Sequence, residues 1–139
     1  MPLELIPGSP EAAAFDVVHG VYMAFAEGRP ADIESVQMPE YSVWDGLTPG
    51  LRMSLDEVKQ FHAQDQRHKV SRGALTWSLV PLKVDVLGDV AVVLSQLEIS
   101  YEPPNALDAR LRVSDVLRRV YGAWMMFHHH ESVEPVSGL

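Results

Sequence analysis

The chain has no cysteine among its 139 residues. A disulfide, a thiolate zinc site and a cysteine nucleophile are therefore excluded. Positive charge is also scarce, because 11 lysine and arginine residues face 19 aspartate and glutamate residues, for a formal net charge of −8. Nonspecific binding to nucleic acid depends on cationic contacts with phosphates, so this balance argues against a nucleic-acid partner.

Long apolar runs and nucleotide motifs are missing as well. No segment approaches the roughly 20 apolar residues that span a bilayer, and MPLELIPGSPEAAAF lacks the basic-then-apolar order of a secretion signal. We therefore expect no membrane partner and a cytoplasmic location. The absence of P-loop, GxGxxG, GxSxG and HExxH motifs disfavours nucleotide-dependent and serine-hydrolase chemistry. The length predicts a single domain over residues 1–139.

The first half of the chain is typical of helices. Ser9-Pro10 is a helix start, and apolar residues at helical spacing lead from it to Gly28, a natural C-terminal cap. A short second helix is predicted between Arg29 and Val36. Ser54 and Glu57 form a capping box that starts a third helix. A short strand, Glu40 to Trp44, lies between the second and third helices.

The second half is typical of strands. Strands are predicted over 75–87, 90–101, 109–120 and 123–133, with tight turns at Gly88-Asp89 and Tyr121-Gly122. Pro81 predicts a bulge or an edge position inside the first of them. Helices followed by antiparallel strands indicate an α+β fold, in which three helices pack on a curved sheet and enclose a pocket.

Three stretches carry a family resemblance: the helix end AEG at 26–28 followed by YSVWDG at 41–46, then RVSDVLRR at 112–119, and YGAWMMFHHHES at 121–132. The chain resembles the NTF2-like superfamily, and within it the SnoaL-like and ketosteroid-isomerase-like proteins. Their last hairpin often reads R-x-T, a basic pair, G-x-W and H-x-H-x-S, and Ser114 stands here for the threonine. The resemblance covers residues 10–133.

The resemblance implies an NTF2-like cone, usually a homodimer through the sheet, with a pocket for a small hydrophobic molecule. Known activities of the family include isomerisation, cyclisation, dehydration, hydrolysis and plain binding, so the fold alone does not assign a reaction. Two hypotheses follow. One is a cofactor-independent enzyme that moves a proton next to a carbonyl, and the other is a noncatalytic binding or dimerisation module.

The three consecutive histidines, His128 to His130, raise the question of which of them meet the pocket. Side chains alternate faces along a strand, so His128 and His130 share a face with Trp124, Met126 and Ser132. The resemblance implies that this face is the pocket face. We therefore expect His129 to point to solvent or to a partner, and its substitution to be nearly silent.

His128 and His130 have several interpretations. A histidine titrates near neutrality and suits acid–base catalysis, although both residues could instead be hydrogen-bonded wall residues. A metal site would need a third ligand such as Asp45 or His62, and no further ligand spacing supports one, so we expect neither metal nor cofactor. A tag remnant conflicts with the strand pattern that the histidines continue.

Asp45 and Tyr22 are the other candidate catalytic residues. Asp45 lies where isomerase-like members carry their proton-shuttling aspartate, but Asp45-Gly46 replaces their Asp-Pro and also suits a simple turn. A carboxylate beside an indole would have a raised pKa and act as a base. Tyr22 lies about one residue from the family's oxyanion-binding tyrosine, and packing in the core is its alternative role.

Candidate substrate-binding residues complete the expected pocket. Arg112 and Ser114 share a face, and if it points inward Arg112 would hold a carboxylate or enolate oxygen, the alternative being a surface salt bridge. The apolar lining would come from several large side chains, and His62 shares a helix face with one of them. These candidate residues are Trp44, Phe61, His62, Trp77, Trp124 and Met126.

Overall fold

The computed structural model of the chain describes residues 3–68 and 73–135. Its elements are α1 (Pro10–Ala26), α2 (Pro30–Glu34), β1 (Gln37–Trp44), β2 (Leu51–Arg52), α3 (Leu55–His68), β3 (Leu75–Leu87), β4 (Val90–Tyr101), β5 (Leu107–Val120) and β6 (Ala123–Val133). The order confirms the predicted α+β class, with three helices preceding four long antiparallel strands.

The helices begin where the sequence places capping residues. The Ser9 hydroxyl accepts a hydrogen bond from the Ala12 amide at 3.1 Å and so satisfies a free donor at the start of α1. At α3, the Glu57 amide donates to the Ser54 hydroxyl at 3.3 Å. The Glu57 carboxylate reaches back to the amide of Met53 at 2.7 Å, one residue before the cap, and so forms a displaced capping box.

All six strands form one sheet in the order β2-β1-β6-β5-β4-β3. The predicted hairpins are confirmed, and the pairing of β3 with β4 shifts between Pro81 and Lys83, as the proline predicted. The sequence did not predict β2, nor that β1 pairs with β6 in parallel. Parallel neighbours of this kind come from distant parts of the chain, and no local pattern identifies them.

A bulge in β6 decides which of its side chains meet the helices. Val116 of β5 pairs with His128, whereas the next residue, Leu117, pairs with Met126. Phe127 is therefore an extra residue, and an extra residue reverses the alternation of every side chain after it. Met126 lies on the helix-facing side of the sheet, and beyond the bulge His129 takes that side.

The helices cover one face of the sheet. α1 packs against β3, β4 and β6, and α3 packs against β1. Leu111, Val113 and Leu117 of β5 are buried beneath them, together with Val18 of α1. Toward α3 the two layers part and leave a cavity. Among the described helices, none combines the length and the apolar character needed to cross a membrane.

Candidate active site

The cavity between the helices and the sheet has a volume of about 690 Å³. That volume suits a small organic ligand, since such sites usually hold a few hundred cubic ångströms. Its walls are mostly apolar side chains, among them Phe61 and Trp77. Its polar lining residues include Tyr22, Gln37, Tyr41, Asp45, Thr48, Arg52, His62, His129 and Glu131.

A buried network of charged groups forms the floor of this cavity. His129 lies between two carboxylates, with Nδ1 2.5 Å from Asp115 Oδ1 and Nε2 2.9 Å from Glu131 Oε2. The Tyr22 hydroxyl donates to the same Glu131 oxygen and lies 3.1 Å from His129 Nε2. Asp115 is fully buried and His129 nearly so, so water contributes little to their solvation.

The network keeps His129 protonated. Burial alone would lower the pKa of His129, but the charges and hydrogen bonds of Asp115 and Glu131 outweigh it and hold that pKa well above its usual value. Burial would likewise raise the pKa of Glu131, yet the hydrogen bonds from His129, Tyr22 and the Gly46 amide lower it to about 2. Both groups are therefore charged at neutral pH.

Asp45 differs from Glu131 although the two are neighbours. Burial and the negative charge of Glu131 raise the pKa of Asp45 above its usual value, against the lowering effect of hydrogen bonds from Thr48 and Leu47. The Thr48 hydroxyl donates to Asp45 Oδ2 at 2.8 Å, and the Leu47 amide donates to it at 3.2 Å. Of these two neighbouring carboxylates, Asp45 is thus the one better suited to exchange a proton.

Gly46 brings the Asp45 loop close to Glu131. The Gly46 amide donates to Glu131 Oε1 at 3.2 Å. A Cβ at this position would lie 2.5 Å from Leu111 Cδ2 and 3.1 Å from Glu131 Cβ, so a side chain here would require the buried Leu111 to shift. The sequence suggested only a turn here, whereas the glycine also permits the backbone to contact the floor of the cavity.

Two tyrosines of the cavity remain neutral donors. Burial and the nearby charges of Glu131 and Asp115 raise the pKa of Tyr22 well above its usual value. Burial also raises the pKa of Tyr41, with Asp115 and Glu131 adding to it and a hydrogen bond from Gln37 opposing them. Tyr22 and Tyr41 therefore present hydroxyl groups, not phenolates.

The structure reverses the predicted faces of the three histidines. His129, expected to point away, is buried and lines the cavity, whereas His128 and His130 lie on the opposite face of the sheet. The physical reason is the bulge at Phe127, which strict alternation ignored. On the outer face, His128 Nδ1 lies 2.7 Å from the Ser42 hydroxyl, and the His130 ring lies 6.5 Å from that of Trp44.

Three other predicted pocket residues lie outside the cavity, because strand alternation turns each of them to the face opposite its buried neighbours. Arg112 and Ser114 pair with Ser132 and His130 and are exposed on the outer face, so neither meets the pocket. Trp44 is 43% exposed, also on the outer face. These placements contradict the expectation that the three residues line a pocket.

The remaining predicted residues lie inside the fold. Trp124 and Met126 have the predicted facing but are packed in the hydrophobic core, and neither lines the cavity. Phe61, His62 and Tyr22 do line it. His62 Nδ1 lies 2.9 Å from Glu34 Oε2.

The ligand set considered for a metal is divided between the two sides of the sheet. His128 and His130 lie on the outer face, whereas Asp45 and His62 line the cavity. Within residues 3–68 and 73–135, no group of three or more histidine, aspartate or glutamate side chains is arranged to hold a metal ion.

Sequence reasoning missed Asp115, Glu131 and Arg52 as site residues. A signal for Asp115 was present, because it continues the apolar series of Leu111, Val113 and Leu117 at every second position of a strand. An acid on an apolar face has to find a partner in the core. Glu131 gave no such signal, since its facing depends on the bulge.

The sequence profile of the SnoaL-like domain matches residues 16–136. The chain belongs to the SnoaL-like family. The match spans α1 to the end of β6 and confirms the resemblance drawn from the three motif stretches. No curated protein sequence matches the chain.

Solved structures share the fold of this SnoaL-like domain at low sequence identity. A ketosteroid isomerase-like protein from Erwinia carotovora atroseptica superposes with a TM-score of 0.78 at 13% identity, covering 93% of this chain and 99% of its own. The CaMKII hub of S. rosetta superposes with a TM-score of 0.73 at 18% sequence identity, and the match covers 93% of this chain and 100% of the hub chain. An NTF2-like protein of unknown function from Pseudomonas putida superposes with a TM-score of 0.77 at 15% sequence identity, and the match covers 91% of this chain and 88% of that protein. These similarities establish the NTF2-like fold of the SnoaL-like domain.

Proposed function

We propose that the chain is a cofactor-independent enzyme that moves a proton next to a carbonyl group of a small, mostly apolar substrate. The observation that carries the proposal is that Asp45 and Glu131 lie side by side at a mostly apolar cavity. Glu131 stays ionised and raises the pKa of Asp45, so one carboxylate is fixed and the other exchanges a proton. Such a difference between neighbouring acids is a common basis for acid–base catalysis.

The proposed step balances without a co-reactant. The Asp45 carboxylate removes a proton from the carbon next to the carbonyl, the C–H electron pair becomes the C=C bond of an enolate, and the carbonyl π pair moves to oxygen. Protonated Asp45 then returns the proton to the same carbon or to a conjugated one. In this structure the Tyr22 hydroxyl donates its one proton to Glu131. In the proposed step it turns that proton to the developing oxyanion, while His129 and the Gly46 amide continue to donate to Glu131.

His129 and Asp115 act as positioning residues in this proposal. The imidazolium holds Glu131 in its charged form through the contact at 2.9 Å, and Asp115 holds the imidazolium. Neither has to lose its proton during turnover. The roles expected for His128 and His130 are therefore assigned to Asp45 and, indirectly, to His129.

Hydrogen–deuterium exchange tests the proposal without knowledge of the product. A panel of aryl and cyclic ketones is incubated with the protein in D₂O, and loss of the α-proton signal is followed by NMR. We expect Asp45→Asn to slow exchange by about 100-fold or more, as for the loss of a general base, while Asp16→Asn on the exposed side of α1 retains the rate. No exchange above buffer would refute catalysis, and equal rates in the two variants would refute Asp45 as the base.

The competing function is a noncatalytic ligand-binding module. It is favoured by the mutual hydrogen bonding of Tyr22, His129 and Glu131, which leaves these three groups engaged with one another. The same experiment separates the two, because a binding module would take up ketones without exchanging their protons. The CaMKII hub of S. rosetta shares this fold, so the fold by itself does not imply catalysis.

We also propose that the chain forms a homodimer through the outer face of its sheet. That face carries the half-exposed ring of Trp44 beside His130. Aromatic residues are enriched at protein interfaces, which supports this face as the contact surface.

A further inference from the structure

Arg52 is the only lysine or arginine that lines the cavity among the described residues. It lies on the short strand β2, at the end of the loop that begins with Asp45. Its guanidinium carbon is 4.0 Å from the centroid of the Phe61 ring. This stacking fixes the plane of the guanidinium and leaves its N–H edge for other partners.

The hydrogen bonds of Arg52 leave donors for a ligand. Nη1 donates to the Thr48 hydroxyl at 3.2 Å. Across the ranges that the structure describes, no acidic side chain forms an ion pair with Arg52. A guanidinium has five N–H donors in a planar fork that matches a carboxylate.

The two histidines of the cavity already have carboxylate partners. His129 is held between Asp115 and Glu131, and His62 contacts Glu34 at 2.9 Å. An anionic part of a ligand would therefore be attracted to Arg52 and not to either histidine.

We propose that Arg52 binds a carboxylate of the substrate, so that the substrate class is a small apolar keto acid. This inference rests on the proposed proton transfer and specifies its substrate. Thr48 links the two ends of the site, since its hydroxyl accepts from Arg52 and donates to Asp45. A carboxylate on Arg52 thus brings a carbon only a few bonds away to Asp45, while Tyr22 meets the carbonyl oxygen.

A carboxylate fits the charge of the site better than a phosphate. Asp45 and Glu131 line the same cavity, and a dianion near them would meet stronger repulsion than a monoanion, with one guanidinium to offset it. The apolar walls suit the remainder of the acid.

Calorimetric titration with β-benzoylpropionate, its methyl ester and inorganic phosphate tests the proposal. We expect the wild-type protein to bind the acid at least about tenfold more tightly than the ester, and Arg52→Gln to weaken acid binding by about 10- to 100-fold. Arg52→Lys keeps the positive charge but loses the planar fork of donors. Its affinity for the acid should therefore lie between those of wild type and Arg52→Gln. Arg118→Gln, an exposed arginine of β5, is the matched control and should bind like wild type.

Several outcomes would overturn the assignment. These are equal binding of acid and ester, no binding of the acid, undiminished acid binding by Arg52→Gln, or phosphate binding as tight as that of the acid. Thermal unfolding of each variant verifies that it is folded, and Arg52→Lys keeps the test decisive if Arg52→Gln is not. Proton exchange that requires Asp45 but is indifferent to Arg52 would refute this inference and leave the proposed function intact.

Discussion

Asp115 Oδ1 lies 2.5 Å from Nδ1 of His129, and the two groups form an ion pair almost sealed from solvent. The other oxygen of Asp115 has no hydrogen-bond partner among the described residues. His129 is therefore the principal compensation for a buried negative charge. Removing one member of such a buried pair destabilises a protein far more than replacing both members by apolar residues.

The first prediction concerns His129 and His130, two neighbours on opposite faces. We expect His129→Gln to lower the free energy of unfolding by about 3–5 kcal/mol, because Asp115 and Glu131 would be left buried without a cation. His130→Gln, on the exposed face, should change it by less than about 0.5 kcal/mol. Urea denaturation of both variants measures the difference, and equal effects would contradict the observed facing.

The second prediction is the loss of stability in acid through Glu131. Its pKa is about 2 in the folded protein, against 4.5 for an unperturbed glutamate side chain. The stabilisation is therefore complete above pH 4.5 and is lost as the pH falls toward 2. The shift corresponds to about 3 kcal/mol. The difference in unfolding free energy between wild type and Glu131→Gln should shrink over this range, and a constant difference would exclude the linkage.

The third prediction is the alkaline counterpart at His129. Its folded pKa lies well above the usual 6.5, so its stabilisation is complete below pH 6.5 and is lost as the pH rises through the folded value. Denaturation from about pH 6 upward should show wild type losing stability faster than His129→Gln. His128→Gln is the matched control, because burial and the two neighbouring histidines lower the pKa of His128.

Local sequence patterns predict most of the helices and strands. They also predict Tyr22, Asp45, Phe61 and His62 as site residues, and these four line the cavity, but the patterns do not predict its charged floor. The caps at Ser9 and Ser54 and the strand breaks at Gly88 and Gly122 fix the element bounds, because each acts over a few residues. The facing of His129 depends instead on how β6 is paired with β5, and the Phe127 bulge is a property of that pairing. Arg52 reaches the cavity through a two-residue strand too short to leave a pattern.

The fourth prediction compares two glycines. Gly46→Ala should destabilise the protein by about 1–3 kcal/mol, because its Cβ would overlap Leu111 and crowd Glu131. Gly20→Ala, in the interior of α1 with open space around its Cβ, should stabilise it by about 0.5–1 kcal/mol through helix propensity. Melting temperatures of the two variants should therefore move in opposite directions. A neutral Gly46→Ala would show that the loop is not held against β6.

The fifth prediction concerns self-association. Trp44 is half-exposed in the single chain. If the outer face is the dimer interface, Trp44→Glu should convert the dimer to a monomer, because dimerisation would then bury an unpaired carboxylate. Light scattering after size-exclusion chromatography reads the mass directly. A wild-type monomer, or a Trp44→Glu dimer, would rule out this interface.

The bulge at Phe127 decides which of the three consecutive histidines faces the cavity. If β6 slid past β5 without the bulge, His128 or His130 would still face the cavity, so the imidazole is supplied in either register. Glu131 has no such substitute, because Ser132 would take its side of the strand. The hydrogen bonds of Glu131 with Tyr22 and the Gly46 amide are thus the contacts that specify the bulged register of β6.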